Sequence, residues 1–158
     1  MHRCEDLAEI ALGKGVTISC AESCTGGLIG AAITELPGSS TYFLGSAVTY
    51  SNDAKMSILG VEGDVLAEHG AVSDEVARQM ALGACRVFSS DYSVAVTGIA
   101  GPGGATDTKP VGLVYIAVSD GSRCVSTRNV FTGDRGSVRS ETVDQAIGLL
   151  TDMISGRL

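Results

Sequence analysis

The stretch VTISCAESCTGGLIGAAI, residues 16–33, places a strand directly in front of a helix. Its first five residues, 16–20, are rich in β-branched side chains and predict a short strand. The apolar residues that follow predict a helix from about Thr25 to Leu36, ended by Pro37-Gly38. Ser23 lies in the turn between them, where the N–H groups and dipole of the helix favour an anion, either a phosphate or an oxyanion. The turn therefore predicts an α/β fold and also a binding or reaction site.

The rest of the chain continues this alternation of helices and strands. We predict helices over 5–14, 25–36, 52–59, 73–88 and 136–154, and strands over 16–20, 42–50, 92–97, 111–119 and 123–131. Asp120-Gly121 is a strong hairpin signal between the last two strands, so at least one strand is antiparallel. The order predicts a layered α/β domain with a mixed sheet, and we expect one domain over residues 1–158.

Caps and apolar faces can be predicted for three of these helices. Asn52 is expected to cap the helix over 52–59, and Ser73 the helix over 73–88. The residues predicted to face inward are Val76, Met80, Ala84 and Val87 in the helix over 73–88, and Val143, Ile147, Leu150 and Ile154 in the last helix. Apolar faces of this kind require a second layer to pack against.

Composition limits the classes of protein that the chain can represent. Hydrophobic residues make up 44% of its 158 residues and charged residues 18%, which is typical of a globular protein. No apolar run reaches the ~20 residues of a membrane span, and residues 1–6 lack a signal-peptide pattern, so we expect a cytoplasmic protein without a membrane partner. A net charge of −7 without a Lys/Arg cluster argues against nucleic acid but permits a small anionic ligand.

The cysteines are odd in number and form no C-x-x-C pair. They are Cys4, Cys20, Cys24, Cys85 and Cys124. This pattern indicates reduced thiols in a cytosolic protein. Cys20 and Cys24 could be combined with His69 as metal ligands, but a fourth ligand and a metal-site spacing are missing, so we predict no metal site.

Three polar or glycine-rich segments each follow a predicted strand. They are the turn at Ser23, the segment 49–55 and the segment 97–104, which continues to residues 109–112. Ligands bind outside the carboxyl ends of the strands in open α/β sheets. We therefore expect the three segments to surround one pocket.

Ser23 needs a general base to act as a nucleophile. The chain has two histidines, His2 in an N-terminus that we expect to be frayed and His69 at a solvated helix end, which leaves lysine as the candidate base. Lys55 lies in the first turn of a predicted helix, close to Tyr50. Burial would lower its pKa toward the range in which an amine accepts a proton from a hydroxyl.

Each of these residues also has a simpler interpretation. Ser23 could be a helix N-cap, Lys55 a solvated helix lysine, and Tyr50 a half-buried strand residue. Cys24 is a rival nucleophile, because a cysteine at a helix N-terminus can have a depressed pKa. Taken one at a time, these residues do not identify a function.

Four motifs in this order resemble the CinA C-terminal domain family over about residues 5–155. They are AESCTGG at 21–27, YSN-x-AK at 50–55, GIAGP at 98–102 with KPVG at 109–112, and F-x-GDR at 131–135. The family includes nicotinamide-nucleotide amidohydrolases. The resemblance therefore implies hydrolysis of the carboxamide of nicotinamide mononucleotide to nicotinate mononucleotide and ammonia. It places the family's catalytic serine, tyrosine and lysine on Ser23, Tyr50 and Lys55. In the implied reaction Lys55 takes the proton of Ser23, helped by Tyr50 as a proton relay or an orienting group.

The resemblance also implies a three-layer α/β/α fold with a mixed, mostly parallel five-stranded sheet, no metal, no cofactor, and a homo-oligomer. Many family members carry a further N-terminal domain with nucleotide pyrophosphatase activity. Because this chain begins at the amidohydrolase region, we expect that second activity to be absent. The alternative to an enzyme is a nucleotide-binding or regulatory module without turnover.

The implied chemistry also assigns candidate substrate contacts. These are Cys24, Thr25, Gly26, Thr97 and Gly98 around the reacting carbonyl, and Gly101, Lys109, Arg135 and Arg139 around the phosphate. Backbone N–H groups at the start of the helix after Ser23 are expected to hold the oxyanion. The three cations are expected to bind the phosphate, and the glycines of residues 101–104 would permit a close approach of the backbone.

Overall fold

The chain folds into alternating helices and strands in the computed structural model, which describes residues 2–158 except for the side chain of His2. The helices are α1 (His2–Lys14), α2 (Leu28–Thr34), α3 (Asn52–Leu59), α4 (Gly63–His69), α5 (Asp74–Phe88) and α6 (Arg135–Ser155), and a 3-10 helix spans Ser39–Thr41. The strands are β1 (Ile18–Glu22), β2 (Phe43–Val48), β3 (Tyr92–Gly98), β4 (Leu113–Ser119) and β5 (Cys124–Val130). Expectations for Met1 and the His2 side chain lie outside the described residues. Within residues 2–158, no helix is both long enough and apolar enough to cross a membrane.

The five strands form one mixed sheet in the order β2-β1-β3-β4-β5. β1 pairs in parallel with β2 and β3, whereas β4 is antiparallel to both of its neighbours. Four strands therefore run in one direction, and β4 alone runs in the other. In the turn between β4 and β5, the Asp120 N–H donates to the Arg123 carbonyl at 3.1 Å, and Gly121 has a φ of 90°. The predicted mixed, mostly parallel sheet is confirmed.

Helices cover both faces of the sheet, which gives the predicted three layers. α1, α2 and α6 pack on one face, against sheet residues such as Ile18, Val96 and Ile116. α3, α4 and α5 pack on the other face. A sheet covered on both sides explains why every residue of β1 is buried.

The face beneath α5 is lined by a row of small side chains. Ala47, Ala21, Ala95 and Ala117 lie side by side across β2, β1, β3 and β4. Their small volume permits a close approach of the helices to the sheet. Close packing continues between α3 and α5, because a Cβ on Gly83 would collide with the carbonyl oxygen of Leu59.

The strand before Ser23 ends later than predicted, and the helix after it begins later than predicted. β1 ends at Glu22 rather than at residue 20, because it pairs with both β2 and β3 up to that residue. α2 begins at Leu28 rather than near residue 25, because Gly26 and Gly27 adopt left-handed conformations with φ of 61° and 103°. Residues 23–27, called the Ser23 loop below, therefore connect the two elements.

Other differences from the prediction have local causes. Ser51 caps α3 instead of Asn52, and its side chain accepts the Ala54 N–H at 3.1 Å. The prediction that Val87 faces inward is wrong, because this residue is 45% exposed. The last turn of α5 instead packs the ring of Phe88 against the sheet, where it lies over a glycine of β2.

Two short elements are additions to the predicted order. α4 has seven residues and the 3-10 helix has three, so neither is long enough to leave a clear periodic pattern in the sequence. The predicted cap of α5 is confirmed, since the Ser73 side chain accepts the N–H of Val76. The inward face of α6 is also confirmed, with Ile147, Leu150 and Ile154 buried and Val143 packed against them.

Candidate active site

One cavity lies at the carboxyl ends of β1, β2 and β3, beside the start of α3. Its volume is about 220 Å³. The lining residues are Ser23, Cys24, Tyr50, Asn52, Lys55, Ala71, Val72, Thr97, Gly98, Ala100 and Arg135. The cavity therefore brings together Ser23, Tyr50 and Lys55, and it lies where open α/β sheets bind ligands.

Lys55 is buried beside Ser23. It lies in the first turn of α3 and is only 1% exposed. Its Nζ lies 3.0 Å from Ser23 Oγ and 2.8 Å from the Thr49 carbonyl oxygen. Burial lowers the pKa of Lys55, and none of the ion pairs among the described residues involves it. A neutral amine at this distance from a hydroxyl can accept its proton.

Ser23 is held as a direct continuation of β1. Its N–H donates to the Val96 carbonyl of β3 at 3.1 Å, and its own carbonyl accepts the Gly26 N–H at 3.1 Å. The residue is mostly buried but borders the cavity. The hydroxyl is therefore presented to Lys55 from the rigid centre of the sheet.

The N-terminus of α2 is occupied by the carboxylate of Glu22. Glu22 is completely buried and accepts the N–H groups of Gly27 at 3.0 Å, Ile29 at 3.1 Å and Gly30 at 2.9 Å. These N–H groups at the start of α2 therefore already bind an anion of the protein itself and are not free for an oxyanion or a phosphate. The expectation that backbone N–H groups after Ser23 hold the oxyanion stays a prediction for those that do not donate to Glu22.

Cys24 is a packed thiol rather than an activated one. Burial raises its pKa to about 11. The helix N-terminus that could have lowered this pKa is taken by Glu22. The N–H group of Cys24 is not among the donors to Glu22, and it directly follows Ser23. The backbone of Cys24 is therefore a candidate oxyanion donor, although its thiol is not a competing nucleophile.

Tyr50 contacts Arg135 rather than Ser23 or Lys55. It is 63% exposed, and its hydroxyl accepts a hydrogen bond from Arg135 Nη2 at 3.2 Å. Arg135 Nη1 also donates to the Gly101 carbonyl at 2.8 Å. No hydrogen bond that would serve a relay from Ser23 or Lys55 through Tyr50 is present among the described residues, and the tyrosine hydroxyl instead contacts a guanidinium at the cavity wall. Its expected role as a proton relay or an orienting group stays a prediction.

The other two predicted phosphate cations lie outside the cavity lining. Arg139 donates to the carbonyl of Cys24 through Nε at 3.1 Å and to the carbonyl of Thr25 through Nη2 at 2.9 Å. Lys109 Nζ donates to the carbonyl of the last residue of α4. Both cationic groups hold backbone segments, so Arg135 is the one predicted phosphate cation that lines the cavity.

The end of β3 forms another wall of the cavity. Thr97 is buried, and its Oγ1 donates to the Ala71 carbonyl at 2.8 Å. Gly98 leaves no room for a side chain, because a Cβ there would lie 2.6 Å from Val114 Cγ2. Thr97 therefore attaches the loop between α4 and α5 to the sheet. Three further predicted contacts, Thr25, Gly26 and Gly101, are not in the lining.

Four residues that line the cavity are not among the predicted site residues. They are Asn52, Ala71, Val72 and Ala100. Asn52 resembles a helix cap, but Ser51 serves that purpose, so the Asn52 side chain is exposed at the cavity. Ala71 and Val72 lie in the loop between α4 and α5, which carries no motif. The hydrogen bond from Thr97 of β3 to the Ala71 carbonyl holds this loop at the cavity. Ala100 lies within the GIAGP motif but has no polar side chain to mark it.

Potential metal ligands do not converge. In the described part of the chain, no three His, Cys, Asp or Glu side chains form a group that could hold a metal ion. Cys20 and Cys24 therefore do not combine with His69. All five cysteines are free thiols.

Comparisons with known proteins show which family the chain matches. A family model described as the CinA C-terminal domain matches residues 2–154. The chain is 53% identical over 144 residues to a CinA-like protein of Citrifermentans bemidjiense, with 91% of this chain and 35% of that protein covered. It is 53% identical over 134 residues to a CinA-like protein of Endomicrobium trichonymphae, with 85% and 31% covered. The chain thus spans about a third of the length of these curated relatives.

Solved structures match over nearly the whole chain. A CinA superfamily protein of Klebsiella pneumoniae superposes with a TM-score of 0.94 at 30% identity, covering 98% of this chain and 97% of that one. The competence/damage inducible protein CihA of Agrobacterium tumefaciens superposes with a TM-score of 0.89 at 41% identity, covering 97% and 96%.

Proposed function

Because this chain belongs to the CinA C-terminal domain family, we propose that it hydrolyses the carboxamide of nicotinamide mononucleotide to nicotinate mononucleotide and ammonia. The observation that carries the proposal is the 3.0 Å separation of Lys55 Nζ and Ser23 Oγ at a polar cavity. A buried amine next to a serine hydroxyl is a base and nucleophile pair suited to amide hydrolysis. The identity of the amide comes from the resemblance of the four sequence motifs.

In the first step, neutral Lys55 accepts the hydroxyl proton of Ser23 while Oγ bonds to the amide carbon. The carbonyl electron pair moves onto oxygen and gives a tetrahedral oxyanion. A general base of this kind contributes about 10²–10⁴ to the rate. The lowered pKa of Lys55 supports this role, because burial disfavours the charged ammonium and so raises the fraction of neutral amine at a given pH.

The oxyanion requires hydrogen-bond donors other than the N-terminus of α2. The Cys24 N–H is our candidate, because it adjoins the nucleophile and does not donate to Glu22. Gly98, which lines the cavity at the end of β3, is a second candidate. One such donor is worth about 10²–10³ in rate.

In the second half of the reaction, the carbon–nitrogen bond breaks and the Lys55 ammonium transfers its proton to the leaving nitrogen, which departs as ammonia. A water molecule then attacks the acyl-enzyme, and Lys55 takes a proton from that water. Return of this proton to Ser23 Oγ breaks the ester bond, releases the carboxylic acid and restores both residues. The acid then loses its remaining proton to solvent and becomes the carboxylate. No cofactor or metal takes part in these steps.

Arg135 is our candidate for the anionic part of the substrate. Its guanidinium lines the cavity and is oriented by Tyr50 and by the Gly101 carbonyl. Two of its donors have these partners, and a guanidinium has five N–H groups in all. An arginine in this position can still donate to a phosphate or carboxylate oxygen.

The proposal is tested by incubating the purified chain with nicotinamide mononucleotide and measuring both ammonia and nicotinate mononucleotide. We expect equal amounts of the two products from the wild type and none above background from Ser23→Ala. Binding of nicotinamide mononucleotide by the wild type without product formation would instead identify a nucleotide-binding module.

A further inference from the structure

We propose that Glu22 and Arg139 are positioning residues that fix the Ser23 loop from two sides. Glu22 holds the loop and the following helix through N–H and hydroxyl groups, and Arg139 holds the loop through carbonyl oxygens. The proposal rests on the function proposed above, because it concerns the placement of that nucleophile. Neither side chain lines the cavity.

The Glu22 carboxylate joins β1, the Ser23 loop, α2 and β2. Besides the three backbone N–H groups at the start of α2, it accepts the hydroxyl of Thr25 at 2.6 Å and the hydroxyl of Ser46 at 2.8 Å. Oε2 accepts from Thr25, Gly27 and Ile29, and Oε1 accepts from Gly30 and Ser46. A completely buried carboxylate with five donors cannot move without leaving several of them unpaired.

Arg139 reaches the opposite groups of the same loop from α6. Its Nε and Nη2 donate to the carbonyls of Cys24 and Thr25, the two residues that follow the nucleophile. Hydrogen bonds from a charged donor are stronger than those between neutral groups. Arg139 therefore orients the two peptide units that join Cys24 to Thr25 and Thr25 to Gly26.

Ser23 itself is tied to β3 through its N–H and the Val96 carbonyl, but the residues after it in the loop have few backbone hydrogen bonds. Gly26 N–H donates to the Ser23 carbonyl at 3.1 Å, and Leu28 N–H of α2 donates to the Thr25 carbonyl at 3.3 Å. Two glycines at positive φ give it conformational freedom that a side chain would remove. Because a displacement of about 1 Å in an active site can cost about 10²-fold in rate, charged anchors on both sides have a catalytic consequence.

The decisive variant is Arg139→Ala, because Arg139 is partly exposed and its removal leaves the core intact. We expect kcat to fall about 10- to 100-fold while KM for nicotinamide mononucleotide changes less than about threefold. Arg157→Ala is the matched control, since it removes an arginine whose ion pair with Asp152 lies outside the site; it should keep wild-type kcat. Addition of guanidinium ion at millimolar concentration should restore part of the kcat of Arg139→Ala and none of the activity of Ser23→Ala.

A rise of tenfold or more in KM at unchanged kcat would overturn the proposal, because it would place Arg139 on the substrate. An unchanged kcat in Arg139→Ala would overturn it as well. Glu22→Gln supplies the second test. The carboxamide must turn its NH2 group toward N–H groups that need an acceptor, so we expect kcat to fall. The measurement is made at a temperature at which circular dichroism shows that the variant is folded. Wild-type kcat in folded Glu22→Gln contradicts the role of Glu22.

Labelling of Ser23 by a fluorophosphonate separates this proposal from the proposed substrate. Intact-mass measurements should show rapid labelling of the wild type and of Arg157→Ala, and labelling at least tenfold slower in Arg139→Ala. Rapid wild-type labelling without ammonia release would refute only the choice of substrate. Equal labelling rates in wild type and Arg139→Ala would refute the positioning role.

Discussion

Lys55 Nζ lies 3.0 Å from Ser23 Oγ, although the two residues are 32 positions apart in the chain. β1 fixes the serine, and the first turn of α3 fixes the lysine. The lysine is buried, has no ion-pair partner among the described residues, and makes its second hydrogen bond to the Thr49 carbonyl. Under the proposed function, the short distance and the burial of the amine suit transfer of the Ser23 proton to Lys55.

Removal of the Ser23 hydroxyl should nearly abolish turnover, whereas removal of the neighbouring Cys24 thiol should leave most of it. Ser23→Ala should lose at least about 10³-fold in kcat/KM, because it removes the hydroxyl that lies within hydrogen-bond distance of Lys55 Nζ. Cys24→Ala should retain most of the wild-type rate, because burial raises the pKa of that thiol to about 11 and leaves it protonated. Ammonia release measures both. Loss of activity in Cys24→Ala, with Ser23→Ala still active, would reverse the assignment.

Activity should rise with pH between 6 and 8. Lys55 is charged below its pKa and neutral above it, and only the neutral amine accepts the Ser23 proton. Burial lowers this pKa from its usual range, so the rise occurs at lower pH than for an exposed lysine. The measurement is kcat/KM as a function of pH, with Lys55→Arg as an inactive control at every pH. A flat or falling profile over this range would exclude Lys55 as the base.

The Tyr50 hydroxyl should matter for substrate binding more than for proton transfer. It accepts a hydrogen bond from Arg135 at 3.2 Å and has none to Ser23 or Lys55. Tyr50→Phe should therefore raise KM several-fold, in line with one lost hydrogen bond of about 0.5–1.5 kcal/mol, and leave the shape of the pH profile unchanged. A large fall in kcat with an altered pH profile would instead support the proton relay that the family resemblance implies.

Two helical glycines should respond oppositely to alanine. Gly83→Ala in α5 should destabilise the fold by about 1–3 kcal/mol, because the new Cβ would collide with the Leu59 carbonyl oxygen. Gly13→Ala in α1 meets no atom within 4 Å and should stabilise by up to about 1 kcal/mol through helix propensity. Urea unfolding measures both changes. Equal effects at the two positions would show that close packing of α3 and α5 is not the cause.

Sequence patterns predicted the architecture well because it depends on local periodicity. The bounds of α3 agree with the prediction at both ends, and Ser73 caps α5. The hairpin at Asp120-Gly121 correctly required an antiparallel strand, since turn chemistry acts over a few residues. The expectation that three polar segments share a pocket followed from where strands end, and Ser23, Tyr50 and Lys55 do line one cavity.

The details of the site depended on contacts that a sequence does not encode locally. Glu22 reads as a polar strand end, yet the fold buries its carboxylate at the start of α2 and removes that helix end from the chemistry. Arg139 reads as a free cation, but α6 brings it to carbonyls more than a hundred positions away. Each case is a tertiary interaction that overrides the most common role of the residue type.

The 115 positions between Arg139 and Cys24 have a consequence for the order of events during synthesis. A nascent chain that has emerged only as far as β5 already contains the serine and the lysine, but not the helix that braces the loop between β1 and α2. Such a chain should be a poor hydrolase even if its sheet has begun to form. The Ser23 loop thus acquires its hydrogen bonds from Arg139 late, when the last helix docks against it.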